Sequence, residues 1–450
     1  MTKSPHGWAE TTLSEITALG PKSDWSDDTE VGFVPMSHAP TNFRDTLRYE
    51  SRQWREVKKA YTHFENGDVI FAKVTPCFEN GKAALVSGLP NGAGAGSSEF
   101  HVLRPASPDV SASYLLAVIK SAQFLREGEE SMTGAVGLRR VPRAFVEQFP
   151  VALPPAAEQK RIAHKLEALL AQVDTLKARI DSIPAILKRF RGSVLNAAVH
   201  GALTKSWRLS RLGCSDLNWR STAFSEICTE ITVGYVGKMA DRYQADGIPF
   251  LRSQNVRPFR FAPENLLYIS NEFHSTIIKS QLKPGDLAIV RSGAPGVTCV
   301  IPKTLSVANC SDLVIARPTN ELNPEFGCIF MNSEIGKRGV AENQVGVAQQ
   351  HFNVGSMKKM PILLPPIDEQ TEIARRVEHL FSLADQLETK LSAAQKRVDA
   401  LTQSLLAKAF RGELVPQDPD DEPASVLLER IRAQRAAAPK PKRGRKAAAD

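Results

Sequence analysis

One segment of this chain occurs twice, and the repeat limits the folds that the chain can adopt. The first copy begins Pro150-Val-Ala-Leu-Pro-Pro-Ala-Ala-Glu-Gln, and the second begins Pro361-Ile-Leu-Leu-Pro-Pro-Ile-Asp-Glu-Gln. The offset is 211 residues, and the register continues without a gap to Leu203 and Leu414. A match of this length at one fixed spacing predicts a tandem duplication with an internal pseudo-twofold.

Apolar residues in both copies recur at alternating steps of three and four residues. This heptad pattern predicts a coiled-coil helix in each copy, and the two helices can pair antiparallel so that the chain closes on itself. Each helix of about 40 residues would be roughly 60 Å long. Pro184 has no counterpart in the second copy, where Gln395 stands, so a kink or short break is predicted there. The predicted seam consists of Leu166, Leu169, Val173, Leu176, Ile180, Leu187, Val377, Leu380, Leu387, Leu391, Val398 and Leu401.

The ends of both helices carry recognisable signals. The Pro-Pro pair fixes the backbone at the start, where a missing N–H costs nothing, and Glu158 or Glu369 follows in the first turn. Gly201 and Gly412 stand where a left-handed residue is expected at a helix end.

The segment before each helix has the pattern of a mixed α/β domain. The two segments share a framework, because Trp8 corresponds to Trp219 and Leu13-Ser-Glu-Ile to Phe224-Ser-Glu-Ile at the same offset. Gly67-Asp68 and Arg104-Pro105 also correspond to Gly285-Asp286 and Arg317-Pro318, at drifting offsets. Strands are predicted at Val31–Met36, Val69–Val74, Ala83–Val86, Phe100–Leu103, Ile248–Leu251, Leu287–Val290, Cys299–Ile301 and Leu313–Ala316, and helices at Ser111–Leu125 and Pro324–Lys337. The Gly-rich run from Gly92 to Gly96 is interpreted as a loop.

The positive charge of the chain lies mainly in its tail. The net charge is +8, but residues 423–450 hold eight Lys and Arg against Glu429 and Asp450. After an acidic, Pro-rich linker (Pro416–Pro423) and a short helix at Ala424–Ala438, the basic end is predicted to be disordered. It either follows DNA phosphates or has no function of its own.

The sequence contains no recognisable catalytic centre. It has no phosphate-binding loop, no His-Glu-x-x-His metal helix and no Cys-x-x-Cys pair, so we expect no cofactor or metal on this chain. Asp45, Glu56 and Lys58 could form a nuclease-like group, but this spacing is common by chance. The start of the chain has no apolar signal core, no apolar run is long enough to span a membrane, and the scattered cysteines are typical of a reduced cytoplasmic protein.

Basic and short polar residues occur at corresponding points of both α/β segments. Arg, Gln and Asn side chains can bond to base edges, while Lys and Arg bind phosphates. Taken singly, most of these residues are as expected for a solvated surface; as a set they predict two DNA-reading sites. They are Ser37, His38, Arg44, Arg48, Lys73, Thr75, Thr133, Arg139 and Arg140 in the first segment. In the second they are Arg252, Ser253, Gln254, Asn255, Arg257, Arg291, Ser292, Gln344, Gln349, Gln350, His351 and Asn353.

As far as about residue 415, the chain resembles the specificity subunits of type I restriction–modification systems. The resemblance depends on Leu-Pro-Pro-x-x-Glu-Gln at 153–159 and 364–370, on the helix ends at 191–204 and 402–415, and on the opening Trp and Ser-Glu-Ile of each half. It implies two target-recognition domains held apart by an antiparallel coiled coil, each reading one half of a split duplex target. It also implies two methyltransferase subunits as partners and, through them, restriction–translocase subunits. S-adenosylmethionine, ATP and Mg²⁺ would then belong to the partners. Neither Pro184 nor the basic tail is part of the pattern.

The predicted organisation follows from the repeat and this resemblance. Recognition domains are expected at residues 1–149 and 205–360, spacer helices at 150–204 and 361–415, and the linker, short helix and tail at 416–450. Two other hypotheses stay open: a self-contained DNA enzyme that uses Asp45, Glu56 and Lys58, and a purely structural coiled-coil adaptor.

Overall fold

A computed structural model describes residues 5–135, 137–343 and 351–437. The chain forms two compact units: unit 1 comprises Met1–Asp181 and Ala393–Asp450, and unit 2 comprises Ser182–Ser392. Within the described residues, no helix is both long and apolar enough to cross a membrane.

The α/β part of unit 1 is built on two four-stranded sheets. Its strands are β1 (Ala9–Thr12), β2 (Thr17–Leu19), β3 (Glu30–Val34), β4 (Glu50–Gln53), β5 (Thr62–Glu65), β6 (Val69–Ala72), β7 (Ala83–Leu85), β8 (Ala93–Gly96), β9 (Phe100–Pro105), β10 (Thr133–Ala135), β11 (Leu138–Arg140) and β12 (Pro150–Leu153). One sheet has the order β2-β9-β6-β7 and is antiparallel; the other has the order β4-β3-β8-β5, with β3 and β8 parallel. Strand β1 pairs with β12, and β10 with β11.

Short helices cover these sheets, and a long helix follows them. They are α1 (Leu13–Ile16), α2 (Trp54–Val57), α3 (Ala112–Ile119), α4 (Ala122–Glu130), α5 (Arg143–Gln148) and α6 (Ala156–Val199). The single helix predicted at Ser111–Leu125 is wrong, because the Ser121 side chain accepts a hydrogen bond from the Phe124 N–H and starts a second helix.

The Gly-rich run predicted to be a loop is instead the inner strand β8. A Cβ on Gly94 would lie 2.4 Å from the Phe64 ring, and one on Gly96 would lie 2.5 Å from the Val34 carbonyl oxygen. The glycines therefore let this strand lie close to its neighbours in a tightly packed sheet. Strand β3 is also shorter than predicted, because Met36–His38 form a 3₁₀ turn after Pro35.

Unit 2 contains a sheet of the same order and a larger second sheet. Its strands are β13 (Arg220–Ala223), β14 (Cys228–Val233), β15 (Tyr243–Gln244), β16 (Ile248–Leu251), β17 (Val256–Arg257), β18 (Arg260–Phe261), β19 (Leu267–Ile269), β20 (Gln281–Leu282), β21 (Leu287–Val290), β22 (Thr298–Val300), β23 (Ala308–Cys310), β24 (Leu313–Pro318) and β25 (Pro361–Leu364). The order β14-β24-β21-β22 matches β2-β9-β6-β7, and the second sheet has the order β15-β19-β16-β23-β20. The second sheet of each unit contains one parallel pair of inner strands. This pair is β3 and β8 in unit 1, and β16 and β23 in unit 2.

The helices of unit 2 repeat the same division. They are α7 (Lys205–Leu212), α8 (Phe224–Ile227), α9 (Asn271–Thr276), α10 (Pro324–Asn332), α11 (Glu334–Glu342), α12 (Val354–Lys359) and α13 (Ile367–Phe410). Ser333 caps α11 as Ser121 caps α4, so the helix predicted at Pro324–Lys337 is also two helices.

Helices α6 and α13 have 44 residues each and pack together. In unit 1, Lys177 Nζ is 2.8 Å from Asp399 Oδ1, and Gln395 Nε2 donates to Asp181 Oδ1 at 2.8 Å. From the first contact to the second, the residue number rises by four on α6 and falls by four on α13, so the helices are antiparallel. In unit 2 the contacts Arg191–Glu388 (2.7 Å) and Arg376–Leu203 O (2.8 Å) show the same direction.

Burial of the predicted seam is uneven. Leu166, Val173, Leu187, Val377 and Val398 are buried, whereas Leu169, Ile180, Leu380 and Leu391 are half-buried. Leu176, Leu387 and Leu401 are 43%, 52% and 39% exposed, so their prediction as buried seam residues is wrong. Helix α6 also continues through Pro184; of the predicted kink or short break, the break is therefore wrong. Both long helices are followed by a left-handed glycine as predicted, since φ is 72° at Gly201 and 69° at Gly412.

The short C-terminal helix α14 (Ala424–Ala437) belongs to the core of unit 1. Ala424, Leu427, Leu428 and Ile431 are buried, and Arg432 forms an ion pair of 3.1 Å with Glu15 on α1. The basic tail predicted to be disordered, residues 439–450, lies outside the described residues.

Each α/β part is joined to its long helix through a corner formed by a tryptophan and a glutamate. In unit 1, Trp8 Nε1 donates to Glu158 Oε2 at 3.0 Å, and in unit 2, Trp219 Nε1 donates to Glu369 Oε2 at 3.0 Å. We call these pairs the first and second corner. The Gly-Asp and Arg-Pro motifs that recur in both halves are also in contact within each unit. Arg104 Nε donates to Asp68 Oδ1 at 2.8 Å, and Arg317 Nε donates to Asp286 Oδ2 at 3.3 Å.

Candidate DNA-recognition surfaces

In unit 1 the turn after β3 and the following loop line an open pocket of about 480 Å³. Three residues predicted to bind DNA, Ser37, His38 and Arg48, line it together with Asp45, Thr46 and Lys82. Ser37 and Arg48 are exposed, and the buried Nδ1 of His38 has no hydrogen-bond partner. The pocket therefore offers a cation, a hydroxyl and an imidazole, which can bind phosphate or base edges. We call it the first reading pocket.

Lys82 was missed in the sequence, although it immediately precedes the predicted strand Ala83–Val86. Its Nζ donates to the Met36 carbonyl oxygen at 2.9 Å, so it supports the turn that holds Ser37 and His38. Its position just before a predicted strand was the only sequence signal for a functional role. The contact with Met36 could not be predicted, because it depends on how two loops distant in the sequence meet.

Arg44 lies on the same loop, but its guanidinium is directed to a spacer helix. Its Nη1 is 3.1 Å from Asp174 Oδ2 on α6, and both side chains are partly exposed. The contact attaches the loop to the helix, so the structure gives Arg44 a role inside unit 1 that the sequence did not predict.

A second group of predicted residues meets where β6 ends beside the β10–β11 hairpin. Thr75 Oγ1 donates to the Arg139 carbonyl oxygen at 3.1 Å, and the Val141 N–H donates to the Lys73 carbonyl oxygen at 2.8 Å. Thr133 lies exposed on the hairpin. The sequence placed these residues in separate segments, and the structure brings them together.

The arginines of this hairpin have acidic partners. Arg140 donates two hydrogen bonds to the Glu99 carboxylate, at 2.9 and 2.8 Å, and thereby lowers the pKa of Glu99. Arg139 Nη2 lies 3.9 Å from carboxylate oxygens of both Glu79 and Glu129. These pairings reduce the positive charge that the hairpin presents to an anion.

In unit 2 the turn after β16 occupies the place of Met36–His38. Arg257 is exposed on β17, and Gln254 is exposed with its Nε2 3.4 Å from the Asn265 carbonyl oxygen. Arg252 Nη2 donates to the same oxygen at 3.3 Å, and Ser253 is half-buried. We call this set of side chains the second reading turn.

Asn255 is not a surface residue, and its prediction as a base contact is not supported. Its side chain is fully buried; Oδ1 accepts from the Arg252 N–H at 3.0 Å, and Nδ2 donates to the Ala262 carbonyl oxygen at 3.0 Å. The amide thus fixes the second reading turn from inside.

Three further predicted residues of unit 2, Arg291, Ser292 and Asn353, have partners in the fold. Arg291 Nη1 is 3.8 Å from Asp312 Oδ1, and the Ser292 hydroxyl donates to Asp312 Oδ2. Asn353 caps α12 by accepting from the Ser356 N–H at 2.9 Å, so a helix cap replaces the predicted base contact. His351 is half-buried, with no partner for its Nδ1. Gln344, Gln349 and Gln350 lie outside the described residues.

Two residues of the alternative catalytic group, Asp45 and Lys58, have different partners. Asp45 accepts from Asn42 Nδ2 at 2.9 Å, whereas Lys58 Nζ lies 2.6 Å from Asp27 Oδ1. Among the described residues, no group of three or more His, Cys, Asp and Glu side chains could hold a metal ion.

Comparison with known proteins gives consistent matches. A family model described as the type I restriction modification DNA specificity domain matches residues 5–185 and 296–395. The specificity subunit of the type I restriction enzyme EcoKI from Escherichia coli (strain K12) is 30% identical over 480 residues, which cover 99% of this chain and 99% of that protein. The corresponding EcoEI subunit from Escherichia coli is 28% identical and covers 89% of this chain and 83% of its own length.

Two solved structures have the same fold. The HsdS subunit from Thermoanaerobacter tengcongensis superposes with a TM-score of 0.64 at 21% identity, covering 91% of this chain and 98% of its own. A chain from a study of complex assembly and conformational transition of the type I R-M system gives a TM-score of 0.65 at 19% identity, covering 92% of this chain and 100% of its own.

Proposed function

Because the chain belongs to the family of type I restriction–modification specificity subunits, which are non-catalytic DNA-recognition components, we propose that it reads a bipartite target in duplex DNA. Each α/β domain (residues 1–149 and 205–360) reads one half-site. The catalytic alternative at Asp45, Glu56 and Lys58 is set aside, since the similar proteins are specificity subunits of type I restriction enzymes.

One observation carries this proposal: corresponding strands of the two domains lead into different polar surfaces. Strand β3 leads into the first reading pocket with Ser37 and Arg48, and β16 leads into the second reading turn with Gln254 and Arg257. A shared framework with different side chains at the same place is the arrangement needed to read two different sequences.

The direct contacts that we propose are the exposed or half-buried side chains of these surfaces. Asn255 and Asn353 are left out because they stabilise turns inside unit 2. In unit 1 we propose Ser37, His38, Arg48, Lys73, Lys82 and Thr133, and in unit 2 we propose Arg252, Ser253, Gln254, Arg257 and His351. Arg44, Thr75, Arg139, Arg140, Arg291 and Ser292 are proposed to approach the phosphate backbone only if DNA displaces the partners described above.

We further propose that the two halves arose by duplication and that α6 and α13 form an antiparallel coiled coil that sets the distance between half-sites. The equal lengths of the helices, the matching corners and the matching sheet orders support this. A pseudo-twofold protein suits duplex DNA, on which half-site spacing follows the geometry of the protein.

The exposed apolar residues on the long helices support docking of partner subunits. In unit 2, Ile186 and Phe190 are one turn apart on α6, and Leu383 and Leu387 are one turn apart on α13; all four are exposed. Exposed apolar side chains grouped in this way are typical of protein–protein interfaces. We propose that two methyltransferase subunits bind here, that restriction–translocase subunits join through them, and that the partners hold S-adenosylmethionine, ATP and Mg²⁺. The assembly would work in the cytoplasm.

The proposal is tested by mapping methylated adenines in DNA exposed to the full complex. We expect two short fixed sequences separated by a constant spacer, with methylation only at that target. The chain alone should bind DNA weakly, with an affinity that falls steeply with salt. Methylation of random duplexes at the same rate as a defined target would contradict the proposal.

A further inference from the structure

A buried lysine in unit 1 lies directly behind the first reading pocket. Lys120, at the end of α3, is 5% exposed, and its Nζ donates to the carbonyl oxygens of Thr41 at 2.8 Å and Gly81 at 2.9 Å. The Pro40 carbonyl oxygen lies 3.5 Å away. A cation in the interior is unfavourable unless acceptors surround it, and an ammonium has one N–H for each of these three oxygens.

The carbonyl groups that Lys120 holds come from two separate loops of the reading surface. Pro40 and Thr41 belong to the loop that holds Asp45 and Arg48, and Gly81 immediately precedes Lys82. One side chain therefore fixes the spacing between the two sides of the pocket. Burial lowers the pKa of Lys120 to about 7, and the charge of Asp45 acts against that shift.

The second long helix, α13, holds the end of α3 from which Lys120 projects. Gln403 on α13 accepts from the Ala122 N–H at 2.9 Å, and its Nε2 donates to the Lys120 carbonyl oxygen at 3.2 Å. These contacts form a continuous chain within unit 1 from α13, through Lys120, to the loops around the pocket.

Unit 2 has a different residue at the same point. Asn332 precedes the cap Ser333 as Lys120 precedes the cap Ser121. Its Nδ2 donates to the carbonyl oxygen of Thr298 on β22 at 2.8 Å and to that of Cys328 on α10 at 2.9 Å. Among the described residues, Asn332 therefore binds a strand and its own helix, and no loop of the second reading turn. The second reading turn is fixed by its own Asn255 instead.

We propose that Lys120 is a positioning residue for DNA recognition by the first domain: it holds the two loops of the first reading pocket at the spacing that one half-site requires. This inference rests on the proposed function. It assigns to Lys120 no contact with DNA, and it predicts that the second half-site is read independently of Lys120.

The test uses the full chain in complex with its methyltransferase subunits. The probes are the duplex defined by methylation mapping and two further duplexes, each with one half-site altered, at a fixed salt concentration. For K120M, which has no charge and no N–H donor, we expect discrimination at one half-site to fall about tenfold, as for the loss of strong hydrogen bonds to a charged group. Discrimination at the other half-site should not change, and K120R, which keeps charge and donors, should recover most of the loss.

The matched control is L427A, which removes buried contacts from the same unit. Leu427 is far in the sequence from the residues that line the pocket. L427A should lower stability and leave discrimination at both half-sites intact. Amide hydrogen exchange gives an independent readout: in K120M, exchange in residues 39–48 and 78–82 should accelerate, while exchange in residues 252–257 should not. If K120M does not fold, K120Q takes its place in the same comparison.

The outcomes separate this inference from the proposed function. If the wild-type complex discriminates at both half-sites while K120M keeps that discrimination, or loses both equally, the role of Lys120 is wrong. If the wild-type complex discriminates at neither half-site, the proposed function itself fails.

Discussion

The two corners of the molecule use the same residue pair and satisfy it differently. In the second corner the buried Glu369 carboxylate accepts from Trp219, from Thr204 Oγ1 at 2.7 Å and from Arg208 Nη1 at 2.5 Å. In the first corner Glu158 accepts from Trp8, its buried Oε1 has no partner, and burial raises its pKa. The Trp–Glu hydrogen bond is thus the same in both corners, while the groups around the glutamate differ.

The same contrast holds for the reading surfaces. The matching sheets place a turn after β3 and after β16. Lys82 bonds to the first turn and Lys120 to the loop that follows it, whereas Asn255 fixes the second turn. The two domains thus share a framework and differ in the side chains that fix their loops. The predictions below begin with the largest expected effect.

Removing the carboxylate should affect the two corners unequally. E369Q leaves the Arg208 guanidinium, which is 4% exposed, without its counter-ion, and we expect a loss of about 3–5 kcal/mol in unit 2. E158Q breaks no hydrogen bond from a cation, and Arg161 keeps its pair with Asp421, so its effect on unit 1 should stay within about 1 kcal/mol. Local free energies of opening from hydrogen exchange in α6 and α13 check both values. Equal losses in the two units would contradict the contrast between the corners.

The helices that follow the two spacer helices should also differ in importance. Leu427 on α14 is buried in the core of unit 1, whereas Leu209 on α7 is 59% exposed. L427A should therefore destabilise unit 1 by about 2–5 kcal/mol, and L209A should change unit 2 by less than about 0.5 kcal/mol. Thermal unfolding of each variant, with hydrogen exchange to locate the loss, is the measurement. A neutral L427A would mean that α14 does not stabilise unit 1.

Single arginines in the two reading surfaces should each affect one half-site. R48A should reduce discrimination by about 1–3 kcal/mol at the half-site read by the first domain, and R257A should do the same at the other half-site. Binding of the complex to duplexes with one altered half-site checks this. If either substitution weakens both half-sites equally, its arginine contacts phosphates and does not read bases.

The smallest expected effect is a dependence on acid at Glu372 of unit 2, which the corresponding position of unit 1 does not have. Arg375, together with Arg376, lowers the pKa of Glu372 to about 2, while the corresponding position in unit 1 is Arg161, which pairs with Asp421 at 2.5 Å. Because the folded-state pKa lies below the ordinary value of 4.5, this stabilisation is present above pH 4.5 and is lost as the pH falls towards 2. Pairs near the surface contribute under about 1 kcal/mol, so the shift is small. Stability measured from pH 6 to pH 3 should fall less in E372Q than in the wild type; an identical slope would contradict the assignment.

The sequence predicted the features that depend on local or periodic patterns. The Leu-Pro-Pro-x-x-Glu-Gln starts, the ends at Gly201 and Gly412 and most strand positions required only short-range signals. Ser37 and His38, which directly follow a predicted strand, line one pocket with Arg48.

Features that depend on a distant partner could not be predicted. Arg140 is a residue type that binds DNA, but its guanidinium pairs with Glu99, which lies in the turn before β9. Asn255 is polar in sequence and buried in the fold, and the glycines of β8 are explained only by the Phe64 ring beside them. Nor does any sequence pattern indicate that α14 packs against α1.

The central claim is that the two domains read separate half-sites of one target. It is tested most directly by exchanging residues 1–149 for the corresponding domain of a relative with a different target, and by mapping methylated adenines in the presence of the methyltransferase subunits. Our account predicts that one half-site is replaced, while the other half-site and the spacer length are retained. An unchanged target would instead support a structural adaptor, and a change of both half-sites would contradict independent reading by the two domains.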